Sequence, residues 1–392
     1  MQAEPKNSQA DPQARSLVGE EYKVEVGPVA HGGHCIARTD EGQVLFVRHT
    51  LPGERVVARV TDGEEGARFL RADAVRVLDP SKDRVEAPCP YAGPGRCGGC
   101  DWQHAKPGAQ RRLKGEVITE QLQRLAGLTP EEAGWDGTVM PAEGDKLPAG
   151  QVPQWRTRVQ YAVDADGNAG LRRHRSHEVE PIEHCMIAAE GVSELGIEQR
   201  DWSGMVSVDA IAATGSQDRM VILEPRPGAR LPLVELDRPV SVMRVEEHDG
   251  GIHRVHGRAF VRERADGRTY RVGSGGFWQV HPQAADTLVK AVMQGLLPRK
   301  GDMALDLYCG VGLFAAPSPT ASATRARCSA SSPASAPSRT PGTTSPASTA
   351  YGSSRARSRV SSRVRGSARS TSSSSTRRGR ERAARRSNTC RP

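Results

Sequence analysis

Short runs of alternating apolar and polar residues dominate the first eighty positions. Apolar residues recur at every second position around Val24, and further apolar runs follow around Val44, Val56 and Ala74. Gly-Gly, Pro-Gly and Asp-Gly pairs separate these runs, and such pairs favour tight turns. The pattern predicts a small all-β barrel over residues 17–80. Residues 1–16 are mostly polar and are predicted to be disordered.

Helical periodicity follows in two segments, with short strands between them. Residues 109–125 predict an amphipathic helix that ends before Gly127. Its predicted apolar face comprises Leu113, Val117, Ile118, Leu122 and Leu125. Residues 155–272 contain short runs and Asp-Gly and Pro-Gly turns, which predicts a second, antiparallel β-rich domain. A helix over residues 284–297 and a strand over 305–308 come next, in the order of a helix laid against a parallel sheet.

The apolar run that ends at Asp306 leads into a turn through Gly310 and Gly312. Glycine lets the backbone approach a ligand closely, and a helix after such a turn presents free N–H groups to it. Strand, turn and helix start are typical of a doubly wound α/β sheet that binds a nucleotide-like cofactor. The full Gly-x-Gly-x-x-Gly fingerprint is absent, so an ordinary tight turn is the alternative. Gln279 lies between aromatic residues and a predicted helix start, where its amide is suited to hydrogen-bond a ligand.

Cys89, Cys97 and Cys100 lie within twelve residues rich in glycine and proline, and Cys185 supplies a fourth thiol. Four thiolates suit either a tetrahedral zinc ion or a cubane iron–sulfur cluster. Zinc sites more often contain two close Cys-x-x-Cys pairs, whereas this chain has one pair flanked by two more distant cysteines. The spacing favours [4Fe–4S] and leaves zinc as the alternative.

The net charge of +9 is unevenly distributed. Residues 317–392 contain 16 arginines and a single acid, Glu381, so they carry +15 and residues 1–316 carry −6. The basic composition is therefore no evidence for a nucleic-acid site in the first 316 residues. Five arginines there suit either phosphate binding or a solvated strand. They are Arg156, Arg158, Arg172, Arg173 and Arg175.

Hydrophobicity gives no sign of a membrane segment. No apolar run approaches the roughly 18 residues of a membrane span, and the N-terminus lacks a signal-peptide core. We expect a cytoplasmic protein without a membrane partner, whose cysteines are reduced or metal-bound.

Together these motifs resemble the RNA (uracil-5-)-methyltransferases, which use S-adenosylmethionine to form 5-methyluridine in ribosomal and transfer RNA. The barrel is similar to the TRAM domain through residues 31–38 (His-Gly-Gly-His-Cys-Ile-Ala-Arg) and 51–55 (Leu-Pro-Gly-Glu-Arg). The resemblance covers about residues 20–315 and includes the four cysteines, the Phe-x-Gln-Val segment and the Asp-Leu-Tyr-Cys-Gly-Val-Gly turn.

The resemblance implies an α/β protein with all-β parts and an RNA partner. Its domains would be an OB-like TRAM barrel at 17–80, an iron–sulfur and central RNA-binding domain at 81–272, and the start of a class I, Rossmann-like methyltransferase domain at 273–316. The implied [4Fe–4S] ligands are Cys89, Cys97, Cys100 and Cys185. The implied S-adenosylmethionine-binding residues are Gln279, Asp306, Tyr308, Gly310, Gly312 and Leu313. The family often has a polar residue where Leu313 stands. Members with both barrel and cluster act mostly on large-subunit RNA, which favours 23S rRNA over tRNA.

The chemistry of this family needs groups that follow the glycine turn. A cysteine thiolate adds to uracil C6, the enolate accepts the methyl group at C5, and a carboxylate then removes the C5 proton. The family places these groups after an acid that ends the second strand and an Asp-Pro-Pro-Arg-type loop, and none is visible here. Cys328 and Cys390 lack the expected strand context, so no catalytic residue is assigned and the chain as written is expected to be inactive. Without most of the parallel sheet, Tyr308 and Val311 are expected to face solvent.

Residues 317–392 contain no Leu, Ile, Met, Phe or Trp and are expected to be disordered. A shifted reading frame explains this composition. Reading one base earlier turns each TCN serine codon into NTC, which encodes Phe, Leu, Ile or Val, so residues 372–375 become a buried strand. The following codons permit Asp-Pro-Pro-Arg-Ala-Gly, and residues 328–332 permit Val-Leu-Gly-Val-Glu, a strand ending in the acid expected to bind the cofactor ribose. The alternative is a non-catalytic RNA-binding protein that uses the barrel and a genuine basic tail.

Overall fold

The first eighty residues form the barrel that their alternating pattern predicts. The computed structural model describes residues 15–143, 145, 152–232, 239–248, 250–299, 302, 304 and 306–317. Five strands close the barrel: β1 (Glu21–Val29), β2 (Cys35–Arg38), β3 (Val44–Arg48), β4 (Arg55–Asp62) and β5 (Leu70–Asp79). Their order is β1-β2-β3-β5-β4, in which β3 and β5 run parallel and β4 pairs with β1. The prediction of an OB-like barrel is confirmed.

Period-two alternation fills the barrel interior. Val24 and Val26 of β1 are buried, while the residues between and beside them are more exposed. Leu45, Val56 and Leu70 from three other strands join them in one apolar cluster. This burial of β-branched and aliphatic side chains is the main force that holds the barrel closed.

Helix α1 (Pro107–Gln121) packs on the barrel instead of on the second sheet. Its Leu113 is fully buried in the barrel cluster, and a π-helical turn (Leu122–Ala126) continues it as far as Gly127, which adopts φ 67°. The predicted helix is confirmed, but its predicted apolar face is only partly used. Ile118 and Leu125 remain exposed because the barrel covers only the face around Leu113.

A seven-stranded sheet forms the β-rich region that follows. Its strands are β6 (Arg158–Val163), β7 (Ala169–Arg172), β8 (Val179–Pro181), β9 (Met205–Ala212), β10 (Arg219–Pro225), β11 (Ser241–Val245) and β12 (Ile252–His256). Their order is β12-β11-β10-β9-β6-β7-β8. The prediction of an antiparallel domain is wrong at one pair, because β10 and β11 are parallel. A parallel pair needs a connection of about a dozen residues or more, and residues 226–240 provide that length.

Each face of this sheet buries its own apolar cluster. Tyr161, Trp202 and Leu223 pack on one face together with the short helix α2 (Glu190–Ser193). Met220 and Met243 pack on the other face against the hairpin of β13 (Phe260–Ala265) and β14 (Arg268–Gly273). A short 3₁₀ turn (Ile197–Gln199) follows α2.

Helix α3 (Ala284–Leu296) confirms the second predicted helix and packs on the hairpin through Ala285. No helix among the residues that the structure describes is long and apolar enough to cross a membrane. The expected disorder of residues 1–16 and the expected frame-shifted segment 317–392, with Cys328 and Cys390, fall almost wholly outside the described residues.

Candidate functional site

The four predicted thiols come from two loops that meet beside the central sheet. Cys89, Cys97 and Cys100 lie in the loop between β5 and α1, which we call the cysteine loop (residues 89–100), and Cys185 follows β8. The backbone N–H of Glu183 donates to the hydroxyl of Tyr91 at 2.9 Å and so ties the second loop to the first.

The cysteine loop is docked on the end of β7. The Gly98 N–H donates to the Arg172 carbonyl at 3.0 Å, and Cys97 forms a β-bridge with Arg173. A Cβ at Gly98 would lie 2.8 Å from the backbone of His174, so only glycine fits this contact. The sequence therefore places a glycine where two backbones approach each other.

Backbone and amide groups hold the sulfur-bearing residues in place. The Gly99 N–H donates to the Cys97 sulfur at 3.4 Å, and the Cys89 N–H donates to the Gln103 side chain at 3.2 Å. The Cys185 N–H donates to Glu198 at 3.3 Å, a carboxylate that also accepts the hydroxyl of Tyr161 at 2.8 Å. Glu198 thus fixes the fourth cysteine against the core of the sheet.

Burial and repulsion from neighbouring thiolates make three of these thiols, Cys97, Cys100 and Cys185, costly to ionise. Burial raises the pKa of Cys97, and the Cys100 and Cys89 thiolates raise it further. Burial also raises the pKa of Cys185 to about 11, with added repulsion from Cys100 and Cys97. The four groups are therefore close enough to influence one another, and a bound cationic centre would offset the cost of ionisation. Among the described residues, no three His, Cys, Asp or Glu side chains converge on one metal-ion position.

The predicted cofactor segment around Gln279 is fastened to the first strand of the central sheet. The N–H and hydroxyl of Thr157 donate to the Val280 carbonyl at 2.8 and 3.0 Å. Arg158 donates to the Gly276 carbonyl at 3.3 Å. Gln279 itself is half-buried, and its neighbour Trp278 packs against Tyr270 with ring centroids 5.5 Å apart.

The glycine turn forms without the strand predicted before it. The sequence predicts a strand over residues 305–308, of which the structure describes 306–308. These three residues adopt turn or irregular structure, and Tyr308 has φ 59°. A parallel strand needs a parallel neighbour, and no described strand pairs with this segment. Gly310 and Gly312 adopt φ 55° and 79°, a backbone conformation that favours glycine over L side chains.

Some side chains of this turn are exposed to solvent, whereas others pack on the hairpin. Tyr308 is 91% exposed, as predicted. The prediction that Val311 faces solvent is wrong, because Val311 packs with Trp278 against the hairpin, and Leu313 packs near Tyr270. One carboxylate oxygen of Asp306 is buried and has no hydrogen-bond partner in the described part of the chain. The structure thus brings the Gln279 segment and the glycine turn to one hairpin.

Most of the five clustered arginines are engaged in ion pairs. Arg158 donates to Asp209 at 2.9 and 2.5 Å, and Arg173 contacts Glu178 at 2.7 Å and Glu180 at 3.1 Å. These two arginines stabilise the sheet, so they do not form the free phosphate-binding face that was one of the two expectations. Arg175 differs, since its nearest carboxylate, Asp62, is 3.9 Å away.

Sequence reasoning missed a buried ion pair between the barrel and the segment that leads from β5 to the cysteine loop. Glu54 is fully buried and accepts hydrogen bonds from Arg84 Nε and Nη2, both at 2.6 Å. It also accepts the backbone N–H groups of Leu51 and Ser81 at 2.9 and 3.0 Å. The only available signal was Glu54 within the Leu-Pro-Gly-Glu-Arg motif, and nothing in the sequence connected that motif to Arg84.

The barrel and the thiol-bearing loop define the class of protein to which the chain belongs. Residues 15–75 match the TRAM domain, and the barrel found here lies within that range except for the end of β5. The chain is therefore a TRAM-domain protein with a β-rich second sheet and a thiol-bearing loop between them.

Comparison with full-length relatives defines the family. A protein of Streptomyces avermitilis described as an uncharacterized RNA methyltransferase is 93% identical over 298 residues, which cover 76% of this chain and 69% of the relative. A 23S rRNA (uracil(1939)-C(5))-methyltransferase of a Shewanella species is 27% identical over 338 residues, 79% of this chain and 70% of that protein. The chain belongs to the RNA (uracil-5-)-methyltransferase family.

A solved structure supports the fold. The crystal structure of Pyrococcus abyssi tRNA (uracil-54, C5)-methyltransferase in complex with S-adenosyl-L-homocysteine superimposes with a TM-score of 0.50. It is 21% identical and covers 74% of this chain and 69% of its own. At that identity the similarity concerns the fold alone.

Proposed function

We propose that this protein is built for S-adenosylmethionine-dependent methylation of uridine C5 in RNA, with 23S rRNA as the substrate. The observation that carries the proposal is the match, over 79% of this chain, to a relative named for that reaction. The TRAM barrel supports an RNA substrate. We also propose a cytoplasmic location, because rRNA and reduced thiols are found in the cytoplasm.

The residues proposed to bind S-adenosylmethionine have an arrangement that suits a polar ligand. The buried, unpartnered carboxylate oxygen of Asp306 can accept a hydrogen bond from a ligand hydroxyl or amine. Gly310 and Gly312 keep the turn free of side chains, and Leu313 and Trp278, the neighbour of Gln279, pack on the same hairpin. The exposed ring of Tyr308 is free to pack on an adenine or ribose. When bound, the cofactor supplies an electrophilic methyl group.

We also propose that Cys89, Cys97, Cys100 and Cys185 hold a [4Fe–4S] cluster. The support is the all-thiol donor set on two loops that contact each other, together with the raised pKa values of Cys97, Cys100 and Cys185. These residues connect the cysteine loop, the β7 end and the loop after β8, so a cluster bound there would fasten the barrel linker to the central sheet.

The proposed domain boundaries are 17–80, 81–272 and 273–316, with residues 317–392 encoded in a shifted frame. About a quarter of this chain is unmatched by the 93% identical relative, which is close to the combined share of residues 1–16 and 317–392. The thiolate and the carboxylate base that the chemistry needs would then lie in the restored frame.

A methylation assay on two RNAs tests the proposed substrate. Unmodified large-subunit rRNA and tRNA transcripts are incubated with S-adenosylmethionine and the frame-restored protein, with the Streptomyces avermitilis relative as the comparison enzyme. We expect 5-methyluridine, measured by nucleoside mass spectrometry, in the rRNA. Product in tRNA alone would show that the substrate class is wrong, and product in neither RNA would overturn the proposed function.

A further inference from the structure

A small basic cavity lies where the barrel faces the loop after β7. Its volume is about 240 Å³, and five arginines line it against two carboxylates. Arg48 and Arg71 reach it from the barrel, whereas His174 and Arg175 reach it from the central sheet. The cavity therefore lies between the barrel and the central sheet, and its lining carries an excess of positive charge.

One lining arginine is buried and incompletely satisfied. The Arg48 side chain is only 8% exposed, and its Nη2 is 3.0 Å from Asp101. Asp73 lies at 4.0 Å, the limit of an ion pair. The Nε of Arg48 is buried without a partner among the described residues. Burying an unpaired guanidinium N–H is costly unless a ligand accepts from it.

Two further arginines lack a close partner. The guanidinium groups of Arg71 and Arg175 share the exposed carboxylate of Asp62 at 3.8 and 3.9 Å, and neither guanidinium makes a hydrogen bond within the described ranges. Burial and the neighbouring guanidinium of Arg175 both lower the pKa of Arg71. Burial together with Arg48 lowers the pKa of His174. Such a concentration of cations is relieved by a bound anion.

An aromatic side chain stands at the rim of this cavity. Phe69 is 42% exposed, and the guanidinium of Arg71 lies 5.4 Å from its ring centroid. The ring of Phe46, which lines the cavity, contacts Phe69 edge-on at 5.2 Å and holds it in place. A fixed, half-exposed aromatic ring beside cations is the arrangement that binds an unstacked base next to its phosphate.

We infer that this cavity binds one backbone phosphate of single-stranded RNA through Arg48, Arg71 and Arg175, with the adjacent base stacked on Phe69. The inference rests on the proposed function and adds the point at which the RNA strand crosses from the barrel to the central sheet. Recognition here is independent of sequence, because phosphate contacts and stacking are common to every nucleotide.

Two variants of the full chain separate the phosphate contact from the stacking contact. Binding of a labelled, 4-thiouridine-containing single-stranded RNA is measured by fluorescence anisotropy across a salt series. The double variant Arg71→Gln/Arg175→Gln should weaken binding about tenfold and lower the salt slope by about 0.7, the value for one phosphate on a single strand. Phe69→Ala should weaken binding about tenfold with an unchanged slope. Arg71→Lys, which keeps the positive charge, should lose less RNA affinity than Arg71→Gln.

Arg55→Gln is the matched control. Arg55 is exposed to a similar degree as Arg175, 63% against 55%, and pairs with Asp79 at the opposite end of the β4–β5 pair. Its replacement should change affinity less than twofold. Thermal melts of every variant show whether the barrel is intact.

Because residues 317–392 carry a charge of +15 that attracts any RNA, photo-crosslinks are mapped by mass spectrometry. We expect a crosslink at residues 69–71 that Phe69→Ala removes. Crosslinks confined to 317–392, or wild-type affinity in both variants, would overturn the inference and leave the proposed function intact. Competition by inorganic phosphate without loss of RNA binding in the double variant would show an anion site only and also overturn it. Absence of RNA binding by the wild type would overturn both.

Discussion

Replacing Glu54 with Gln removes the buried negative charge that pairs with Arg84 where the chain leaves the barrel. The variant keeps the shape of the side chain but leaves the Arg84 guanidinium, which is 19% exposed, without its carboxylate. Whichever oxygen becomes the amide NH2 group, one backbone N–H (of Leu51 or Ser81) and one Arg84 N–H must then face a donor. Breaking a buried ion pair costs roughly 3–5 kcal/mol. Because Arg84 also donates to the His49 carbonyl at 2.8 Å and keeps some solvent contact, we expect the lower end, about 3 kcal/mol.

Hydrogen exchange read by mass spectrometry measures this loss locally. A cost of about 3 kcal/mol lowers amide protection in β4 and β5 about 150-fold, while the central sheet stays protected. Glu21→Gln is the control, since Glu21 pairs with Arg59 at 2.7 Å on the same barrel but in solvent. It should cost at most about 0.5 kcal/mol, roughly a twofold change. A loss of amide protection below tenfold in Glu54→Gln would refute the claim that this buried ion pair stabilises the barrel by about 3 kcal/mol.

The same pair predicts a pH dependence. Burial raises the pKa of Glu54, but hydrogen bonds from Arg84, Ser81 and Leu51 outweigh burial and hold the pKa below the ordinary value of 4.5. The stabilisation is therefore complete above about pH 4.5 and is lost as the pH falls through the lower, folded-state pKa. After correction for intrinsic exchange, the difference between wild type and Glu54→Gln should shrink on acidification. A difference that grows would contradict the sign.

Three further outcomes are expected. Anaerobically purified protein should be brown, and Cys97→Ser should remove the visible absorption; a colourless preparation with one zinc per chain would contradict the cluster. Gly98→Ala, whose Cβ would collide with the His174 backbone, should cost about 1–3 kcal/mol and lower bound iron, whereas Gly108→Ala meets no atom within 4 Å and should leave iron unchanged. Calorimetry of the chain as written should show no micromolar binding of S-adenosylmethionine, because Tyr308 is exposed to solvent and the described residues just before the turn form no strand; micromolar binding would refute this.

Local patterns were sufficient for the elements that depend on local physics. The barrel strands follow from period-two alternation, because one face of each strand must enter a closed interior. The glycine turn was predictable from Gly310 and Gly312, whose positive φ angles only glycine adopts easily. The four thiols could be grouped by residue type alone.

Contacts between distant segments were not predictable in the same way. The Glu54–Arg84 pair and the approach of Arg71 to Arg175 depend on how the barrel, the linker and the sheet pack, and no period in the sequence records this. Val311 was misjudged because the hairpin offers an apolar surface on which Val311 packs, although no described strand forms a parallel sheet beside it. The strand at 305–308 was overpredicted because an apolar run forms a strand only when a neighbour pairs with it.

We propose that this fold serves 5-methyluridine formation and that the chain as written lacks the groups that perform it. The most direct test incubates the chain as written and its frame-restored counterpart, in parallel, with labelled S-adenosylmethionine and unmodified 23S rRNA. Losing a covalent nucleophile costs several powers of ten in rate, so we expect 5-methyluridine only from the restored protein. Product from the chain as written, abolished by Cys328→Ala or Cys390→Ala, or no product from the restored protein, would contradict the account.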